Sequence, residues 1–238
     1  MKLAAIVPAR AGSKGLPGKN RMYLQDKHLL GYPIEAALNS KYVDAVYLST
    51  EDKVLAEFGK HYGAKIINRP VELASDTATS EDVILHALGE IPSPKYIVYL
   101  QPTSPLTDAD DIDGAFELLT RNRRSADAVV GVGKMLSNHP LYNVRINKKG
   151  LIEPVSTDSF KVMRRQDIED IYFLNGSLFM SEVKKFRREG TFYHDRTLPW
   201  VNPKYKSIDI DDITDFVCVE AIAEAVNKRK REGMAALC

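Results

Sequence analysis

Between Leu3 and Gly133 the chain repeats one pattern five times over: a short run rich in Val, Ile and Ala, then a polar turn. Each of the first four turns leads into a stretch with apolar residues three and four apart. "KLAAIVPA", "DAVYLST", "AKIINRP", "KYIVYLQPTSP" and "ADAVVGVG" read as buried strands. "YPIEAALNS", "EDKVLAEFGKHYG", "TSEDVILHALGEI" and "DADDIDGAFELLTRN" read as the helices between them. Strands with two apolar faces need cover on both sides, so this alternation predicts an α/β fold with a doubly wound, mostly parallel sheet. Near Lys134 the pattern breaks. Residues 134–171 are polar, with short alternating stretches around "NKKG", and read as a hairpin arm. Regular structure is expected to resume at "GSLFMSE", then at a strand "YKSIDIDD", then at the helix "ITDFVCVEAIAEAVNKRKR". The division expected is an α/β domain of residues 1–133 and 172–238, with 134–171 inserted as the arm.

Bulk properties exclude several classes. With 33 Lys and Arg against 32 Asp and Glu, the net charge of +1 gives no reason to expect nucleic-acid or anionic-membrane binding. No apolar run approaches the roughly 18 residues of a membrane span. Two cysteines, Cys218 and Cys238, make neither a disulfide framework nor a zinc site and suit a reducing compartment. The expectation is a soluble, cytoplasmic protein.

In open parallel sheets, ligands sit at the carboxyl ends of the strands. The first strand runs into "RAGSKGLPGKN", which matches neither common phosphate loop. Its glycines, Gly12, Gly15 and Gly18, lack the G-x-G-x-x-G spacing of a dinucleotide turn. Aligned as a P-loop on Gly18-Lys19, it carries Ser13 in place of the first glycine and Asn20 in place of the metal-binding hydroxyl. What remains is a nest of backbone N–H groups with Arg10, Lys14 and Lys19, able to wrap a triphosphate and stabilise a departing pyrophosphate. The plainer alternative is a charged, glycine-rich surface turn. At the other end of the chain, Asp209 and Asp211 alternate along the expected strand "SIDIDD" and so share a face. Paired carboxylates call for a cation, and Mg²⁺ takes few carboxylates beside phosphate oxygens and water. A solvated turn is the alternative. Asp212 reads as the N-cap of the last helix. The "QPTSP" turn offers the Gln101 amide and the hydroxyls of Thr103 and Ser104 to a substrate, or serves only as a turn.

Five segments, "VPARAGSKGLPGKN", "RPVELASDTATS", "LQPTSPL", "RRQD…NGSLF" and "SIDIDD", resemble in wording and order the acylneuraminate cytidylyltransferase family, and the resemblance covers nearly the whole chain. It implies a Rossmann-like nucleotidyltransferase that joins CTP to a nine-carbon 2-keto sugar acid, releases pyrophosphate and needs Mg²⁺. It also implies a homodimer whose arms reach toward each other's sites. Carried over by position, Arg10, Ser13, Lys14, Lys19 and Asn20 fall on the nucleotide loop, and Arg69 and Ser80 fall beside the nucleoside. Gln101, Arg165 and Asn175 fall on the sugar side, with Phe179, Phe192 and Tyr193 near the sugar's tail. Asp209 and Asp211 fall on the metal ligands. Arg10 and Lys19 would stabilise pyrophosphate, and Asp211 would also take the attacking hydroxyl's proton.

Two positions depart from the bacterial members' common pattern. Tyr142 follows "HPL" where they carry Lys, and Phe173 stands where they carry Arg. The nucleotide chemistry is therefore expected to hold while the acid stays open among sialic, legionaminic and pseudaminic types. An eight-carbon acid of the Kdo type and a non-catalytic nucleotide- or sugar-binding regulator are the competing readings.

Overall fold

β1 (Leu3–Pro8) alternates perfectly in where it packs: Leu3, Ala5 and Val7 enter one core, Ala4 and Ile6 the other. The computed structural model describes residues 1–13, 15–135, 139–155 and 168–234. Around β1 run β4 (Val43–Thr50), β5 (Lys65–Asn68), β6 (Tyr96–Tyr99), β7 (Ala128–Lys134), β10 (Tyr172–Glu182) and β11 (Thr197–Asn202). Their order is β5-β4-β1-β6-β10-β7-β11. Every pairing is parallel except those of β10, which runs antiparallel to both β6 and β7. The first core is closed by Ile34 of α1 (Gly31–Leu38), Leu55 of α2 (Lys53–His61) and Phe116 of α4 (Ala109–Arg121). The second is closed by Ile84 and Leu88 of α3 (Ser80–Glu90) and by Phe186 of α5 (Val183–Glu189). Helices thus cover both faces, and the α/β doubly wound sheet read from the sequence is the fold.

Local signals explain several boundaries. α3 and α4 each open on a capping box, with Thr79 and Asp108 as N-caps answered by Asp82 and Asp111. α6 (Ile213–Arg231) opens the same way on Asp212 and Asp215, as expected for Asp212. Between β1 and α1 a short hairpin, β2 (Tyr23–Leu24) with β3 (Lys27–His28), follows the glycine loop. The excursion after β7 holds a second hairpin, β8 (Val144–Ile146) with β9 (Ile152–Pro154), which pairs only with itself.

Two expectations are corrected. "YKSIDIDD" is not a strand: Lys204–Lys206 is a turn of 3₁₀-helix, and residues 207–211 have no regular structure and no place in the sheet. The sheet edge beside β7 is already filled by β11, which the sequence pattern did not reveal. β10 also starts earlier than "GSLFMSE", at Tyr172.

Candidate functional site

The carboxyl ends of β1, β4, β5 and β6 meet on one rim, at the point where the chain turns from β1 toward β4 on one side and β6 on the other. The glycine loop leaves β1 there. Its side chains are held by partners far away in sequence. Lys19 Nζ donates to the Ile210 carbonyl at 2.7 Å and lies 3.9 Å from Asp211 Oδ1. Asn20 is buried and donates to the Arg10 carbonyl at 3.0 Å, so it holds the loop's own backbone. Arg10 reaches Asp76 at 2.9 Å and the Ala74 carbonyl at 3.3 Å. Gly15 allows a close approach: a Cβ there would stand 2.3 Å from the Asp211 carbonyl oxygen.

Glu51, just past β4, is a participant that its sequence context did not single out. Its carboxylate accepts the Ala11 N–H at 2.8 Å with one oxygen and the Arg69 guanidinium at 2.8 Å with the other. Arg69 is 6% exposed, and its Nε has no partner among the described residues. Loop, β4 end and β5 end are therefore tied by one carboxylate.

The irregular segment before α6 is pegged by Ile210, which is fully buried with Leu24, Leu29, Phe216 and Val219. Its N–H donates to the Thr103 carbonyl at 2.9 Å. Asp209 and Asp211 flank this peg. Asp211 is exposed, whereas Asp209 is half-buried with Oδ1 lacking any hydrogen-bond partner among the described residues. Burial pushes the Asp209 carboxyl up, and the charges of Asp211 and Asp215 add to this against opposing help from Thr103 and Lys19. A buried carboxylate oxygen with no partner is costly, and a bound cation would satisfy it. Among the described residues no cluster of three or more acidic, His or Cys side chains forms a cage. Two carboxylates beside a cationic glycine loop suit Mg²⁺, which takes few carboxylates and completes its shell with phosphate oxygens and water.

Two cavities share this rim. One, of about 290 Å³, is lined by Arg10, Ser13, Lys19, Asn20, Arg69 and Ser80 among others. The second, of about 280 Å³, has Phe179, Phe192, Tyr193 and Asp209 in its wall. Ser80, Tyr99 and Gln101 line both. Burial pushes the Tyr99 hydroxyl up to about 12, partly offset by Ser80. Gly176, at φ +72° in the irregular stretch of β10, lets the chain pass close to Gln101 and Asp209, where a Cβ would meet them at 2.9 and 3.4 Å.

Of the residues expected at the site, Arg10, Ser13, Lys19, Asn20, Arg69, Ser80, Gln101, Phe179, Phe192, Tyr193 and Asp209 line one cavity or both. Asp211 stands beside Lys19. Ser104 is buried in its turn, away from both cavities. Asn175 is also buried and donates to Asn202 Oδ1 at 3.0 Å and Ser207 Oγ at 3.1 Å, so its amide faces inward. That contact joins a buried polar network running through Asn202 and Asp111 to Lys206, whose Nζ lies 2.7 Å from Asp111 and 2.6 Å from Asp108. Lys14 and Arg165 lie outside the described residues.

Comparison with known proteins decides the family. The chain matches the family described as Cytidylyltransferase over residues 4–200. It belongs to that family. The nucleotidyltransferase resemblance read from the five motifs agrees with this. An N-acylneuraminate cytidylyltransferase of Streptococcus agalactiae serotype III (strain NEM316) is 34% identical over 221 residues, 92% of this chain and 52% of the relative. The chain thus spans about half the length of that protein. The CMP-N,N'-diacetyllegionaminic acid synthase of Legionella pneumophila (strain Philadelphia 1) is 32% identical over 231 residues, 94% of this chain and 97% of the relative. Among solved structures, a CMP:2-keto-3-deoxy-manno-octonic acid synthetase superposes with a TM-score of 0.68 at 16% identity, covering 94% of this chain and 99% of that one. That likeness concerns the fold. No described helix is long and apolar enough to cross a membrane.

Proposed function

We propose that this cytidylyltransferase joins CTP to a nine-carbon 2-keto sugar acid and releases pyrophosphate. One observation carries the reading: two cavities, one cationic and one aromatic, share Ser80, Tyr99 and Gln101, with Asp209 at their border. The cationic cavity takes the nucleotide, with Arg10, Lys19 and the loop N–H groups on the phosphates and Arg69 and Ser80 beside the nucleoside. Lys14 and Ser13 belong to the same loop. The aromatic cavity takes the sugar acid, against Gln101, Phe179, Phe192 and Tyr193, with Arg165 contributed from the arm. Asn175 and Ser104 act from behind, holding the wall.

The anomeric C2 hydroxyl of the acid attacks the α-phosphorus. An O–P bond forms, the bond to pyrophosphate breaks in line, and the hydroxyl proton passes to Asp211. Arg10 and Lys19 meet the charge that develops on the leaving pyrophosphate. Asp209 and Asp211 would hold Mg²⁺, which when bound neutralises phosphate charge and lowers the pKa of the attacking hydroxyl. Lys19 bonds the backbone between these two aspartates, so the cation on the leaving group and the carboxylates at the attack side are fixed by one contact.

Residues 134–171 we assign to a dimerisation arm and the rest to the α/β domain, in a cytoplasmic homodimer. Val144, Ile146, Leu151 and Ile152 are exposed on the second hairpin, a surface that a second subunit would cover. Among nine-carbon acids a sialic-type acid is the first reading, and the Legionella relative, matched over 97% of its length, favours a legionaminic-type acid as the second.

A pyrophosphate-release screen of nucleoside triphosphates against 2-keto sugar acids, with and without Mg²⁺, tests the assignment. Turnover is expected with CTP and a nine-carbon acid only when Mg²⁺ is present. Asp211→Ala should cut turnover by about 10²- to 10³-fold. Its side chain is 84% exposed, so the melting temperature should hold. Near-normal release by this variant refutes the role, and CTP binding with no productive acid refutes the transferase.

A further inference from the structure

Glu81 stands in the wall of the aromatic cavity, and the chemistry assigned above gives it no task. It is half-buried and occupies the second position of α3. An acid there suits the helix dipole. The helix start, however, is already secured by Thr79 and Asp82, which close the capping box without it. Among the described residues Glu81 has no hydrogen-bond or ion-pair partner. Its charge is nonetheless felt at two ring hydroxyls of the same cavity, raising Tyr193 behind the effect of burial and adding a minor push on Tyr99.

The rest of the wall sharpens the question. Asp209 is its other charged group, and no Lys, Arg or His among the described residues lines this cavity. Four aromatic rings stand around it, with Phe179 5.6 Å from Phe192 and 6.1 Å from both Tyr99 and Tyr193. A sugar acid brings a carboxylate of its own. With Asp209 committed to the cation and the arm's Arg165 assigned to the sugar acid's own carboxylate, Glu81 remains a negative charge in the wall with no ion-pair partner among the described residues. Such an arrangement penalises an acid whose other substituents are neutral. It favours one whose far end carries positive charge and N–H donors, because the carboxylate supplies a charge-assisted acceptor and the rings supply cation-attracting faces.

We propose that Glu81 is the specificity-determining residue of the sugar cavity, and that it selects a 2-keto sugar acid bearing a positively charged nitrogen substituent, an amidinium or ammonium group. This rests on the assignment of that cavity to the sugar acid.

The test is a matched pair of substrates: one nine-carbon 2-keto acid with an acetamidino group, and its acetamido isostere at the same carbon. The two differ in charge and in one heavy atom. Pyrophosphate release with CTP and Mg²⁺ gives kcat/KM for each, in the wild type and in Glu81→Gln. The wild type is expected to prefer the acetamidino acid by about 10- to 100-fold, the range of one charge-assisted hydrogen bond. Glu81→Gln should erase the preference by slowing the charged acid and leaving the neutral one unchanged or faster. A residue serving only the helix dipole would shift the melting temperature slightly and leave the ratio intact. Turnover of both acids without preference, or a preference that survives Glu81→Gln, overturns the proposal and leaves the transferase standing. Failure of the wild type to consume CTP with any 2-keto acid overturns the cavity assignment, and the role of Glu81 with it.

Discussion

Replacing Gly15 by Ala should disconnect the nucleotide loop from the acidic segment without unfolding the protein. The added Cβ would stand 2.3 Å from the Asp211 carbonyl oxygen, where ordinary contact begins at 3.4 Å, so the two must part by about 1.1 Å (3.4 − 2.3). The Asp211 side resists. Ile210 is bonded to Thr103 and to Lys19, and the Asp211 and Asp212 N–H groups both donate to Asp215 Oδ2, at 3.0 and 3.1 Å. The displacement therefore falls on the loop, which carries Lys19. A misplacement of about 1 Å costs roughly 10² in rate, or about 2.7 kcal/mol in the barrier. Overpacking at a surface loop costs the fold only about 1 kcal/mol, a melting shift of about 2–4 °C for a chain of this size. Pyrophosphate release should thus show kcat lowered about 100-fold, with a much smaller change in thermal stability. Gly12→Ala is the control, because nothing lies within 4 Å of its would-be Cβ, and it should stay within a few-fold of wild type. Gly15→Ala with wild-type kcat, or a loss equal to that of Gly12→Ala, would refute the reasoning.

Two further outcomes follow from the titrating groups. The folded carboxyl of Asp209 is raised by burial, so its ionised form weighs against the fold above that raised pKa. Asp209→Asn should raise the melting temperature of the ligand-free protein at pH 7 while abolishing the added stabilisation by CTP with Mg²⁺; a variant that loses stability would contradict the unpartnered oxygen. Asp127 has the opposite sign. The Arg196 hydrogen bond, aided by Lys185, holds its carboxyl down at about 2, and its side chain is 1% exposed. Its stabilisation is present above the unfolded carboxylate pKa and lost as pH falls from about 5 toward 2. A shift of this size corresponds to about 2.6 kcal/mol, which screening of its partly exposed cations reduces to about 1–2 kcal/mol. Urea midpoints of wild type and Asp127→Asn should differ accordingly at pH 7 and converge toward pH 2; equal midpoints at pH 7 would count against the pairing.

How much of this was legible beforehand depended on whether a residue's role is local. The parallel sheet was readable because each strand carries its own apolar run, and the cap at Asp212 because capping is decided within four residues. β11 was hidden because "TLPWVN" contains Pro199, a residue that argues against a strand yet is tolerated on an edge, where β11 pairs only with β7. That one hidden strand explains why "SIDIDD" was misread: with the edge filled, its backbone is satisfied by Thr103 and Lys19 instead of a ladder. Glu51 and the inward-facing amide of Asn175 were hidden for the same kind of reason, since their partners lie far away in sequence.

The same distinction bears on how the site works. The sequence pattern reads Gly15 as a donor of free backbone N–H groups, whereas its packing makes it the place where the loop touches Asp211. Lys19 repeats the arrangement, since the cation expected on phosphate also bonds Ile210 between the two aspartates. Phosphate loop and carboxylates are about 190 residues apart in sequence but form one mechanical unit, pegged by Ile210 in its apolar pocket. On the proposed assignment, a triphosphate drawn into the loop would be presented to carboxylates already in position. On the same assignment, the cost of holding the Asp209 oxygen without a partner among the described residues would be the free protein's share of a site completed by nucleotide and cation.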